Sequence, residues 1–507
     1  MYIKKHFSLF FLLFCNSIFA NNVKIEDVRL KNQNITTNVK DIRFDISWDN
    51  SWRTSASPYN WDACWVFAKY RILSEPVTVW HHATLSTLNS DHTAPTGSTI
   101  NAASDGKGAF IYRSSDGIGS NNWDYVALSW KYGDDGLGDD DSVEICVFAI
   151  EMVNIPSGNF TLGDGNGSTK SKYSFESAAN DNKAVNITNS LSELIETDVS
   201  TTYDDAALGS TGLFLDGDGG IDLNGNGIFS DLGDNPDFPV GYNEMYCMKY
   251  EVSQEQYVEF ANKLNATQTS NIITGTTTYR HNISGSGNSW SSTTPNRAMS
   301  MSWYQLCAYL DWAALRPMTE TEYEKICRGT IAPTLGEYAW GSTNLHSSSY
   351  GLKFDGTGNE SITNIGISTG NASYNTTDGS NNGPLRVGIF AAGSINHTRE
   401  ESGGSFYGVM EMSGNIMEGV VFLGDPQGRS FDGSHGDGEV HSTGFADMSK
   451  WPSYDGTDNN LNDGGFTVRG GHWNLNSDYL KVSDRGYVNV HQTTGSLYYG
   501  GRGVRTP

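Results

Sequence analysis

Three short segments between residues 253 and 322 carry the spacing that opens a helix. Ser253 precedes Gln256, Ser302 precedes Gln305, and Thr319 precedes Glu322, each pair three residues apart. In such a capping box the hydroxyl accepts from the third helical amide, while the Gln or Glu side chain reaches back to the cap amide. Tyr257, Phe260 and Leu264 follow the first box at helical spacing, and Leu306, Leu310 and Ala313 follow the second. The third helix is predicted to run to about Cys327, and Pro317 breaks the chain ahead of it. Beyond this helix the chain to Pro507 is rich in Gly and Asn with short apolar pieces, which predicts loops and short strands. Stretches such as "SSTTP", "NESITN" and "NASYNTTDGSNNG" read as long surface loops, and there is no internal repeat.

Residues 22 to about 150 have a different texture. "IRFDISW" alternates apolar and polar residues from Ile42 to Trp48. "CWVFAKYRI" (64–72), "GAFIYR" (108–113), "YVALSWKY" (125–132) and "VEICVFAI" (143–150) are rich in β-branched and aromatic residues, with Asn/Asp/Gly/Ser turns between them. Many short strands with this punctuation predict an antiparallel β-sandwich. The division expected is a signal at 1–20, a sandwich at 21–150 and a second domain at 151–507. The fold class expected is α+β, with little regular secondary structure in the second domain.

Charge limits the partners. The 507-residue chain carries 58 acidic and 33 basic residues, a net charge of −25. That balance repels nucleic acid and anionic membranes, and neither is expected as a partner. The N-terminus reads as a secretory signal: Lys4 and Lys5, then the apolar "FSLFFLLF", then "SIFA" with cleavage after Ala20. The rival reading is lipidation at Cys15, against which Phe14 stands where lipoproteins place a small residue. No later apolar run is long enough to span a bilayer. Export, to the periplasm, the cell surface or the medium, is the expectation. Five cysteines remain after cleavage, namely Cys64, Cys146, Cys247, Cys307 and Cys327, so at least one thiol lacks an internal partner.

The second part resembles a known family. "IPSGNFTLG", "YCMKYEVSQEQYVEFANKLN" (246–265), "NRAMSMSWYQLCAYLDWAALRPMTETEYEKICRG" (296–329), "YAWGS", "YGVMEMSGNIMEGVV", "VRGGHW" and the terminal "GVR" follow in the order seen in the formylglycine-generating enzymes, or sulfatase-modifying factors. The resemblance implies a C-type-lectin-like α+β domain. It also implies an oxidase that converts a peptide cysteine to formylglycine at a Cu(I) held by two thiolates. Within "TVRGGHWNLNSDYLKVSDRGY" (467–487), however, the first cysteine position falls on Leu475 and the second near Tyr479 or Leu480. Cu(I) needs soft sulfur donors, so copper is not expected. His472, beside Trp473, is either a ligand group near the old active site or a packing residue. No H-E-x-x-H spacing, Ser/His/Asp motif or phosphate loop is present.

The resemblance favours calcium. "EMSGNIME" offers the carboxylates of Glu411 and Glu418 and the carbonyls of Gly414 and Ile416, a donor set suited to a hard cation. A first family loop would use Asp378, Ser380, Asn371 and Ala372. Independently of the family, Asp222, Asn224 and Asn226 copy positions 1, 3 and 5 of an EF-hand loop, although Gly233 stands where the bidentate Glu belongs. That segment is either a weak calcium loop or a flexible Asp/Gly loop. "DDGLGDDDS" (134–142) is likewise a cation-binding turn or a solvated one. The expectation is a Ca²⁺-stabilised protein without the copper pair, acting as a binding or scaffold protein for a protein or glycan. "GSLYYGG" (495–501) is one candidate surface, with Tyr498 and Tyr499 either displayed or in a core strand. The rival is a metal-dependent oxidase acting on a peptide cysteine.

Overall fold

The computed structural model describes residues 22–75, 79–165, 171–178, 183–190, 192–197, 213–217, 219–224, 226, 228, 234–375, 382–460, 464–488 and 496–507. The candidate signal at 1–20 lies outside them. The described residues are mixed α and β.

In the N-terminal part, β1 (Lys24–Asn34), β2 (Val39–Arg53), β3 (Asp62–Ile72), β4 (Ser98–Ala102), β5 (Ala109–Arg113), β6 (Gly117–Trp130) and β7 (Val143–Ile155) are all paired antiparallel. β1, β2 and β6 form one sheet, in which β2 lies between the other two. The alternation read in "IRFDISW" aims Ile42, Phe44, Ile46 and Trp48 into a core shared with Cys64, Val66 and Ala68 of β3. The other face of β3 is equally covered. Trp65 and Phe67 enter a second core with residues from the helices. The unbroken apolar run "CWVFA" is the local cause, because a strand buried on both faces has no polar side to offer.

That second core belongs to the C-terminal part. Its helices are α1 (Gln254–Ala261), α2 (Ala266–Ile272), α3 (Trp303–Trp312) and α4 (Glu320–Arg328). The three capping boxes start α1, α3 and α4 with both reciprocal bonds formed. A fourth box, Asn265 with Gln268, starts α2. Two strands from this part, β8 (Met245–Met248) and a terminal β12 (Val504–Arg505), extend the N-terminal sheet, which has seven strands on the path β12-β8-β7-β3-β5-β4 with His81–His82 beside β3. Strand β7 itself runs through residue 150. Polar bonds tie the two parts as well: Trp65 Nε1 donates to Ala313 O (2.9 Å) and Asn60 Nδ2 to Tyr407 O (2.7 Å). A smaller sheet places β9 (Met417–Val421) between β10 (Phe466–Arg469) and β11 (Tyr499–Gly500). β9 and β10 bring the "EMSGNIME" loop and the "RGG" stretch together. No helix among the described residues is long and apolar enough to cross a membrane.

Candidate functional site

The loop before β9 turns sharply. Glu411 and Asn415 adopt left-handed backbone (φ 54° and 62°), as does Gly414 (φ 90°). A Cβ on Gly414 would stand 2.6 Å from Ser373 O, so the loop lies directly against residues 372–373. Asn415 N donates to Ser373 O (2.9 Å), which fixes this contact.

Two of the carboxylates expected here are buried in the loop. Glu411 is 4% exposed and Glu418 is fully buried. Glu411 Oε1 accepts from Gly388 N (3.0 Å) and Glu418 Oε1 from Arg502 Nε (2.8 Å). The second oxygen of each, Oε2, accepts no hydrogen bond. A third carboxylate joins them. Glu251, 1% exposed, accepts from Ile416 N (2.9 Å) and from Asn415 Nδ2 (2.5 Å). Burial pushes the Glu411 carboxyl up to about 7, and it pushes Glu251 well above the usual range, with Glu418 adding repulsion. Arg502 is the guanidinium bonded within this group, and its own pKa is raised by Glu418. The loop thus gathers three buried carboxyl groups around one bonded guanidinium. Sequence reading missed Glu251, which lies more than 150 residues upstream in the segment between β8 and α1 and carries no local motif.

The other expected loops are placed differently. Asn371 lies near the Glu411 loop but is saturated by protein. Its Oδ1 accepts from Gly366 N (2.9 Å) and Tyr350 OH (3.0 Å), and its Nδ2 donates to the Gly366, Thr369 and Glu401 carbonyls. Ala372 is buried beside Trp340 and Leu480. Asp378 and Ser380 lie outside the described residues. Asp222 is buried, and the exposed Asn224 and Asn226 follow it. Their side-chain oxygens cap amides of the same segment: Asn224 Oδ1 accepts from Asn226 N (3.0 Å), and Asn226 Oδ1 from Ile228 N (2.7 Å). In the 134–142 turn Asp135 accepts from Thr84 N (3.0 Å) and Trp130 Nε1 (2.6 Å), and Asp141 from Gly138 N (2.7 Å). One group of three carboxylates converges among the described residues, Asp311 with Asp437 and Asp447, whose oxygens lie within 4.8 Å of one another. Both Asp311 oxygens already accept amides, from Asp437 (3.0 Å) and Asp447 (3.2 Å).

No thiol stands in the stretch that resembles the oxidase centre. Leu475 is half-buried, its amide donating to His472 O (2.9 Å). Tyr479 packs edge-on against Tyr487 at 4.9 Å, and Leu480 is fully buried beneath Tyr338 and Trp340. Cys247 and Cys327 do share a core cluster, but both are fully buried, far from a reactive thiolate. Burial pushes the Cys327 thiol up to about 12 and raises Cys247 further. All five described cysteines are free.

His472 is 4% exposed and packs face to face on Tyr498 at 4.4 Å, with burial lowering its pKa to about 3. Trp473, fully buried, adjoins Tyr498 (5.1 Å) and Tyr279 (5.6 Å). Tyr279 is 42% exposed and Tyr498 half-buried, so this aromatic cluster reaches the surface.

Residues 191–506 match the family described as the sulfatase-modifying factor enzyme 1-like domain. Among curated proteins none matches the chain. The match spans more than half of the 507 residues, and over it the helix pair, the "EMSGNIME" loop and the "RGG" strand assemble into one unit, so the chain belongs to the sulfatase-modifying factor family.

Proposed function

We propose that this family member is an exported binding or scaffold protein that has lost copper oxidase chemistry and is stabilised by calcium. The observation that carries the reading is the replacement of both sulfur positions. Leu475 and the Tyr479–Leu480 pair stand where thiolates are needed, and the buried Cys247 and Cys327 stay protonated at neutral pH. The C-type-lectin-like fold implied by the family resemblance suits such a role, because it presents loops on a rigid frame. Tyr279 and the half-buried Tyr498, backed by the buried Trp473, offer an aromatic surface to a protein or glycan partner.

Calcium fits the donors present. Two carboxylate oxygens, on Glu411 and Glu418, are buried without a hydrogen-bond donor, and hard oxygens suit a hard cation. Glu411 and Glu418 would hold the ion, with the Gly414 and Ile416 carbonyls added by analogy to the family loop. Bound calcium supplies positive charge to a carboxylate-rich core.

The test is to purify residues 21–507, measure bound copper, iron and calcium, and incubate the protein with a cysteine peptide of sulfatase type under oxygen. The expected result is calcium without copper and an unchanged peptide thiol. Copper uptake with loss of the thiol would restore the rival oxidase reading.

A further inference from the structure

The outer edge of β7 is only partly covered. β8 pairs with Met152–Ile155 and ends at Met248. Just past it, Lys249 N donates to Glu151 O (2.9 Å) at this edge. With a strand's period of two, the amides and carbonyls of Ala149, Val147 and Ile145 point the same way. Among the described residues no strand pairs with them there; residues 143–149 pair with β3 on the opposite edge alone. Exposure agrees. Val143–Ala149 are all half-buried, whereas Asp62–Tyr70 of β3 are buried throughout.

Beside this edge lies a groove of about 440 Å³. Its floor is β7 from Ile145 to Ala149, one wall is Val23, Ile25 and Val28, and the other is the end of α1 with Lys263. Ile145, Val147 and Ala149 face the sandwich core, while Phe148 packs toward Trp312 (4.9 Å) on the other face. Lys263 Nζ sits 3.3 Å from Cys146 Sγ and 3.9 Å from the Trp80 ring centre, and forms no ion pair among the described residues.

We propose that this edge docks an extended polypeptide segment of a partner protein, which pairs with β7 in the row that β8 leaves unfinished. In-line amides and carbonyls repeating every second residue are complementary to another strand, the apolar wall of Val23, Ile25 and Val28 takes its apolar side chains, and the polar wall of Glu259, Asn262 and Lys263 meets its polar ones. The Lys263 ammonium meets a carboxylate on that segment. This site lies between the N-terminal sheet and the end of α1 and stands independently of the aromatic surface proposed above.

A displayed library of random nine-residue peptides, selected on the 21–507 chain, tests it. Selected peptides should alternate apolar residues, carry a carboxylate, and slow alkylation of Cys146 at least fivefold, the other four described thiols being buried. N-methylation of their alternate amides should weaken binding at least tenfold. Val147→Pro should do the same, because it deletes an outward N–H at an unpaired edge. If that variant does not fold, the N-methylated peptides on the unaltered chain decide. The proposal fails if no peptide is enriched, if N-methylation leaves binding unchanged, or if bound peptides leave Cys146 open. A dimer that buries the edge and that peptides do not dissociate also overturns it, assigning the edge to a second copy.

Discussion

The Arg485 guanidinium grips both oxygens of Glu320, at 2.8 and 3.0 Å, across 165 residues of chain. Arg469 joins them, reaching Glu320 (3.3 Å) and Glu324 (2.9 Å), and all four side chains are fully buried. Glu320 and Glu324 are four apart and so share one face of α4. The acidic signature of this helix therefore acts as a clamp on the "RGG" strand and the loop after it. Arg485 and Arg469 hold the Glu320 carboxyl below its usual range despite burial. Glu320→Ala leaves two buried guanidinium groups short of a partner. The expected loss is about 3–5 kcal/mol, read from urea unfolding. Glu320→Met combined with Arg485→Met should recover a large share of it. Equal losses for the single and double variants would show that the ion pair is not the cause.

Local devices were the legible part of this fold. A capping box needs only residues three apart, and Ser253, Ser302 and Thr319 announced their helices. Asn265 does the same work for α2, but the polar "ATQTSNI" gave no apolar stripe to support it. The run "CWVFA" marked a strand, yet only the tertiary structure shows that helices cover its second face. In the site, the loss of sulfur at Leu475 was readable because one residue type decides that chemistry. Glu251 was not, since its bonds to Asn415 and Ile416 span more than 160 residues. Nor could spacing reveal that the Asn371 carboxamide is consumed by Gly366, Thr369 and Glu401.

The Glu411 and Glu418 loop gives the second prediction. Calcium at one hundred times its dissociation constant should raise stability by about 2.7 kcal/mol, and EDTA should remove the gain. Glu411→Gln keeps the acceptor that Gly388 N uses and removes one buried charge. The variant should lose the calcium response while its EDTA-treated form is no less stable than the unaltered chain. A calorimetric scan with and without calcium checks both. An unaltered calcium response in the variant would place the ion elsewhere.

Lys325 yields a pH dependence. Its Nζ donates to Tyr242 O (2.9 Å) and Asn243 O (3.2 Å), and burial lowers its pKa to about 7. The unfolded chain keeps the ordinary lysine value of about 10.4. Between those two values the unfolded state binds more protons, so this group makes stability rise as pH climbs from about 7 to about 10. Its slope approaches 1.4 kcal/mol per pH unit within that window and vanishes below it. Lys325→Met should flatten that part of the profile. Denaturant midpoints of the two proteins across pH 7–10 provide the measurement, and parallel profiles would refute the assignment.

Thiol titration separates inert from reactive sulfur in the same molecule. Cys64, Cys247, Cys307 and Cys327 are fully buried, whereas Cys146 is half-exposed beside Lys263. Only the thiolate attacks a disulfide reagent, and both burial and a raised pKa suppress it. Burial raises Cys146 too, although Lys263 opposes the shift. Native chain 21–507 at pH 8 should therefore titrate one thiol, more slowly than a free peptide, and release the other four only on unfolding. Cys146→Ser should abolish the native phase. Fast native reaction at both Cys247 and Cys327 would mean that these two sulfurs reach solvent together, and a soft-metal site built from them would then account for the chain better than the loss of copper chemistry.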